Sequence, residues 1–181
     1  ANIQPVYTSF QSCLEQDTLT GIDVLESQGG YIELPDFEPA SNYMPFSNQL
    51  VFLGNPIPYW YYVSGNNIQK EQVPSKADME GELENYVEEK IRNCVLEDYY
   101  EQGFEIVQGE PQADVKISGN KVEVNLNMKL NIYKGEDVAL LKSHKISVNS
   151  KLGSLYDSAK KVYAKEQKDL FLEEYAVDTL R

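Results

Sequence analysis

The chain has 181 residues, 41% of them hydrophobic, which is enough for one domain with its own core. Its 29 acidic and 16 basic side chains give a formal net charge of −13, which repels nucleic-acid phosphates and anionic lipid and removes nucleic acid from the expected partners. No stretch is long and apolar enough to span a bilayer.

Residues 3–27 read as a helix. Ile3, Val6, Phe10, Cys13, Leu14, Ile22 and Leu25 recur at helical spacing, Pro5 suits a first turn, and Gly29-Gly30 end the run. Residues 31–74 hold most of the prolines and predict an irregular, aromatic-rich segment. Short extended pieces are expected at Tyr31–Leu34, Gln49–Leu53 and Tyr59–Val63, and the turn at 64–67 joins the last of these to Ile68–Val73 as a hairpin. Pro74-Ser75 then opens a second helix, with Ser75 as N-cap and Asp78 as its capping-box partner. Met79, Leu83, Tyr86, Val87, Ile91, Cys94, Val95 and Asp98 carry it to Gly103, while Glu80, Glu82, Glu84, Glu88 and Glu89 read as a solvated acidic face.

From Phe104 to Leu152 the period changes to two. Val122, Val124, Leu126, Met128, Leu130 and Ile132 form one apolar face. A hairpin turn at Gly119-Asn120 sets Val124 opposite Val115 and Val122 opposite Ile117. A second turn near Gly135-Glu136 folds 138–150 back, so that Val138, Leu140, Ile146 and Val148 share the buried face, with Leu126 opposite His144 and Met128 opposite Lys142. That face is weak at its middle, where something else must cover it or water must enter. Phe104–Val107 can add a strand. Residues 154–181 return to helical spacing, with Ser154 and Asp157 as a cap pair, a stripe of Leu155, Ala159, Val162, Tyr163, Leu170, Phe171 and Val177, and a basic side of Lys160, Lys161, Lys165 and Lys168. The expected fold is α+β: a three- to four-stranded antiparallel meander packed by the second and third long helices. It forms a single domain over 1–181, with an N-terminal helix (1–30), an irregular aromatic-rich segment (31–74) and a helix–meander–helix unit (75–181). The start at Ala1-Asn2-Ile3 and the end at Thr179-Leu180-Arg181 predict a natural chain that continues at both ends.

Chemistry is sparse. His144 is the only histidine, which removes most nucleophile–histidine and histidine–metal arrangements, and it reads as a partly exposed sheet residue. No phosphate-binding glycine loop, nucleophile elbow or zinc-protease motif occurs, and neither 36–39 nor 135–137 has the ligand spacing of a calcium loop. No catalytic residue, metal or cofactor is expected. Cys13 and Cys94 lie on apolar stripes, where two buried thiols and one bridge both fit. Tyr59, Trp60, Tyr61 and Tyr62 alternate in a strand, so one pair can fill the core while the other faces out as a contact patch.

Four segments, 10–16 (FQSCLEQ), 25–35 (LESQGGYIELP), 57–62 (IPYWYY) and 73–95 (VPSKADMEGELENYVEEKIRNCV), together resemble exported, single-helix membrane-anchored proteins of DPANN archaea. Those proteins have an N-terminal membrane helix, often introduced by a KGQ-type segment. The likeness spans roughly the first 130 residues, and Glu26-Ser27 departs from a pattern that is more apolar there. The resemblance implies a Cys13–Cys94 bridge, a place on the extracellular side of the cytoplasmic membrane, and an anchor helix preceding Ala1. It implies no catalytic activity. The expected function is therefore a non-enzymatic cell-envelope domain for surface structure, assembly or attachment, whose partners are other envelope proteins or further copies of itself, with Tyr59, Trp60, Tyr61 and Tyr62 as the binding patch. The alternatives are a carbohydrate- or peptide-binding module using the same aromatics and, third, an extracellular hydrolase using a carboxylate pair.

Overall fold

The computed structural model describes residues 2–42 and 44–180; Ala1, Tyr43 and Arg181, including the two terminal residues named above, lie outside the described residues. Helix α1 (Gln4–Ser27) buries Val6, Phe10, Leu14, Thr18, Gly21, Ile22 and Leu25, in steps of three and four. Thr18 is tolerated inside because its hydroxyl donates to the Leu14 carbonyl at 2.7 Å. The helix stops where Gly29 and Gly30 take left-handed backbone, with the Gly30 N–H donating to the Leu25 carbonyl at 2.8 Å.

Helix α2 (Lys76–Ile91) starts at the expected capping box, with Ser75 and Asp78 bonded reciprocally. It presents Met79, Leu83, Val87 and Ile91 to the core. It crosses α1 at Gly21, where a Cβ would stand 2.5 Å from Leu83 Cδ1 and 2.8 Å from Tyr86 Cδ1. The expected run to Gly103 does not form. The chain turns through Asn93 and Cys94 and continues as a five-residue helix, α3 (Glu97–Glu101). Cys94 faces α1 while Leu96 is buried in the core. Residues two apart on a straight helix point about 200° from one another, so one helix cannot place both inward.

The meander is antiparallel throughout. β7 (Lys121–Lys134) is central, β8 (Asp137–Asn149) runs along one side, and β5 (Glu105–Gln108) and β6 (Gln112–Ile117) lie end to end along the other. Val124 opposes Val115, Val122 opposes Ile117 and Leu126 opposes His144, as the turns predict. Beyond that point the β7–β8 register shifts by one residue, between Asn127 and Leu130, so Met128 has no Lys142 partner. A one-residue shift exchanges the faces of a strand. Ala139 and Leu141 therefore pack on the core, and Val138 and Leu140, expected inside, are exposed.

Three further expectations are corrected. His144 is not partly exposed but fully enclosed. Tyr7 and Phe10 of α1 cover it, with ring centroids 5.8 and 4.8 Å from the imidazole. So α1 covers the weak middle of the sheet. The last helix does little of this. α4 (Leu152–Asp169) buries only Leu152, Gly153 and Tyr156, then breaks at Leu170 (φ 48°) before α5 (Phe171–Thr179). Ser154 and Asp157 form no cap pair; Asp157 instead pairs with Lys76 at 3.2 Å.

The acidic face of α2 is also not simply solvated. Glu80, Glu84 and Glu88 accept the backbone N–H groups of Ile117, Val115 and Ala113 at 3.1, 3.0 and 2.8 Å. Four helical residues rise about 6.0 Å and two strand residues about 6.7 Å, so the two repeats stay in step for three rungs. The carboxylates thus cap the outer edge of β6, which would otherwise offer a row of free donors. Glu82 accepts from Ile32 and Glu33, tying the irregular segment to α2, while Glu89 stays exposed.

The enclosed imidazole makes stability depend on pH. His144 Nε2–H donates to the Met128 carbonyl at 2.8 Å, and buried Nδ1 has no partner among the described residues. Burial lowers the imidazole pKa, against a smaller opposing effect of the Met128 bond. The unfolded chain takes up this proton near pH 6.5 and the folded chain only below it, so folded stability falls as pH drops through that value. Between pH 7.5 and 5.5 wild type is expected to lose about 1 kcal/mol more than His144→Leu, measured by urea unfolding at both pH values. Equal losses in the two proteins would refute a neutral, enclosed imidazole.

Candidate contact site

One side chain and its backbone tie together distant points of the aromatic-rich segment. Asn48 is buried; its amide N–H donates to the Asp36 carbonyl at 2.8 Å and its Oδ1 accepts the Glu38 N–H at 2.9 Å. Its carbonyl accepts the Tyr59 N–H and the Gln72 side chain. No periodic signal marks such a residue, and sequence reasoning missed it.

The expected strand through Tyr59–Val63 forms only at β3 (Tyr61–Val63), which pairs with β4 (Gln69–Glu71), and Trp60 sits in a bend before it. No strand forms at Tyr31–Leu34. All four aromatics are half-buried and they do not act as one patch. Trp60 is turned inward: its indole N–H donates to the Gly29 carbonyl at 2.9 Å, and its ring meets the edges of Tyr156 and Tyr163 at 6.1 and 5.8 Å. Burial, with the Glu71 carboxylate adding to it, pushes the Tyr163 hydroxyl up to about 12. Tyr62 donates to Glu38 Oε1 at 2.8 Å, and Lys70 meets the same oxygen at 2.6 Å. That lysine holds the Glu38 carboxyl below its ordinary range, with the Tyr62 bond helping. Tyr59, Tyr61 and Tyr62 join Met44, Phe46 and Val63 around an open groove of about 310 Å³.

Beside this groove projects a hairpin only half foreseen. β1 (Gln49–Phe52) matches the expected piece, but its partner β2 (Asn55–Pro58) was not expected; it carries two prolines, which an edge strand tolerates. Leu53 and Gly54 form a two-residue turn with φ of 49° and 84°. The tip is bare: Val51 is 63%, Phe52 57% and Leu53 87% exposed. A signal for it was present in the sequence, since residues 39–69 contain no Asp, Glu, Lys, Arg or His in a chain that is 25% charged.

No family model matches the chain, nor does any curated protein or solved structure. Cys13 and Cys94 are joined, with Cα atoms 5.9 Å apart, and this bond fits an oxidising compartment. Among the described residues no group of three or more His, Cys, Asp or Glu is placed to hold a metal, and no helix is long and apolar enough to cross a membrane. Enclosure in the core withholds the only imidazole from any substrate.

Proposed function

We propose that this chain is a non-enzymatic, extracytoplasmic domain of the cell envelope that works by attachment. The observation that carries the reading is the charge-free segment 39–69, in which Phe46 and the run Leu50–Leu53 stand exposed on a disulfide-stapled, strongly acidic body. Acidic surfaces keep proteins apart, and a bare apolar region on such a body gives it one adhesive face. The resemblance to anchored surface proteins of DPANN archaea supports the same compartment, with an anchor helix preceding this domain.

In cells making the full-length protein, a membrane-impermeant amine-reactive biotin applied from outside labels it. Labelling that appears only after lysis would sink the reading. A second reading, a carbohydrate- or peptide-binding module, is favoured by the tyrosine-lined groove. Saturable binding of glycans or peptides that is lost in Tyr59→Ala with Tyr61→Ala would put that reading first.

A further inference from the structure

The geometry points to the β1–β2 hairpin tip as an element that dips into the interfacial layer of a neutral lipid bilayer. This deepens the attachment reading above and rests on it.

Four features select lipid over a protein face. Leu50 and Phe52 project from one side of the hairpin, Val51 from the other and Leu53 from its end, and all four are exposed. A flat protein surface covers one side of such a tip, whereas a fluid layer surrounds it. The pairing continues to Phe52–Asn55, so the inward-facing backbone groups of the tip are bonded across the hairpin, while its two open edges need water and hold it at the hydrated interfacial level, short of the hydrocarbon. Pro56 and Pro58 have no N–H, so β2 is a poor template for a strand from a second copy. No charged group lies within 39–69, so no charge is dragged into the layer, and Tyr59, Tyr61 and Tyr62 at the hairpin base suit the headgroup level.

The turn itself adds to the case. Its first position takes left-handed backbone, which Asn or Gly adopts readily and Leu does not. Leucine there is strained and is 87% exposed, so little burial within the described residues offsets the strain. Its charge matches too: a −13 body with an uncharged tip fits a neutral bilayer and is repelled by an anionic one.

The test is co-flotation of the 181-residue chain with phosphatidylcholine vesicles. Wild type is expected to float, and Phe52→Thr with Leu53→Asn to bind roughly 100-fold more weakly, the loss of two buried apolar side chains. Asn-Gly is the preferred pair for this turn, so the variant folds at least as well, which a thermal melt checks. Leu172→Asn, at an exposed apolar site on α5, keeps full binding. Adding phosphatidylglycerol at low salt is expected to weaken flotation. Stronger binding on that addition would overturn the proposal by assigning attachment to the lysines of α4. So would failure of wild type to float, or equal flotation of the tip variant. Self-association without lipid that disappears in the tip variant would also overturn it, in favour of a second copy. Surface-labelled protein that binds no vesicles removes this proposal alone, whereas vesicle binding by a protein labelled only after lysis removes the envelope reading.

Discussion

Replacing both cysteines, as Cys13→Ala with Cys94→Ala, is expected to lower unfolding stability by about 4 kcal/mol. The bridge closes a sequence separation of 81, so in the chain-entropy model it takes a large share of freedom from the unfolded chain. Its position adds a native-state effect. It joins the middle of α1 to the turn that follows α2, and α1 is the element that covers His144 and the centre of the sheet. Amide exchange in α1 should therefore accelerate more than in β7. Urea unfolding with and without reductant measures the first effect, and exchange followed by mass spectrometry the second. A loss below about 1 kcal/mol would mean that packing at Gly21 and Phe10 alone secures α1.

The triple variant Glu80→Ala, Glu84→Ala, Glu88→Ala is expected to lose about 3 to 6 kcal/mol, from three hydrogen bonds to charged acceptors worth about 1 to 2 each at half-buried sites. The three N–H groups of Ala113, Val115 and Ile117 then lose their acceptors, two of them on buried residues. Replacement by Gln at the same three positions keeps an acceptor of the same reach and should retain most of the stability, although it removes three charges. Urea midpoints for the two triple variants decide the matter. If the Ala variant matches wild type, water satisfies the β6 edge and the ladder is incidental. If the Gln variant falls as far as the Ala variant, charge rather than bonding holds α2 to the sheet. The Ala variant should also self-associate more readily, since it exposes an edge strand that the carboxylates now occupy.

Much of the architecture was legible because it repeats. The apolar face of β7 runs at period two, the stripes of α1 and α2 run at three and four, and both turns of the meander carry glycine. Ser75 and Asp78 announce their helix start because a cap is a local arrangement. What failed to show was non-local. The glutamates of α2 look like a wetted face because nothing in their spacing reveals that β6 lies alongside. The β7–β8 shift, which turns Leu140 outward and Leu141 inward, shows in the sequence only as a mismatch of Met128 with Lys142, which does not say which strand slips.

The candidate site divides the same way. Its aromatic content was plain, but only packing showed that Trp60 is spent on Gly29, Tyr156 and Tyr163, while Val51, Phe52 and Leu53 are left bare. By itself the sequence determined the α+β class, the strand pairing around Gly119-Asn120 and the acidic charge, because these follow from short-range periodicity, turn residues and composition. Tertiary structure alone decided that α1 seals His144, that three carboxylates close the sheet edge and that an uncharged hairpin stands proud of the body, because each depends on which distant segments meet.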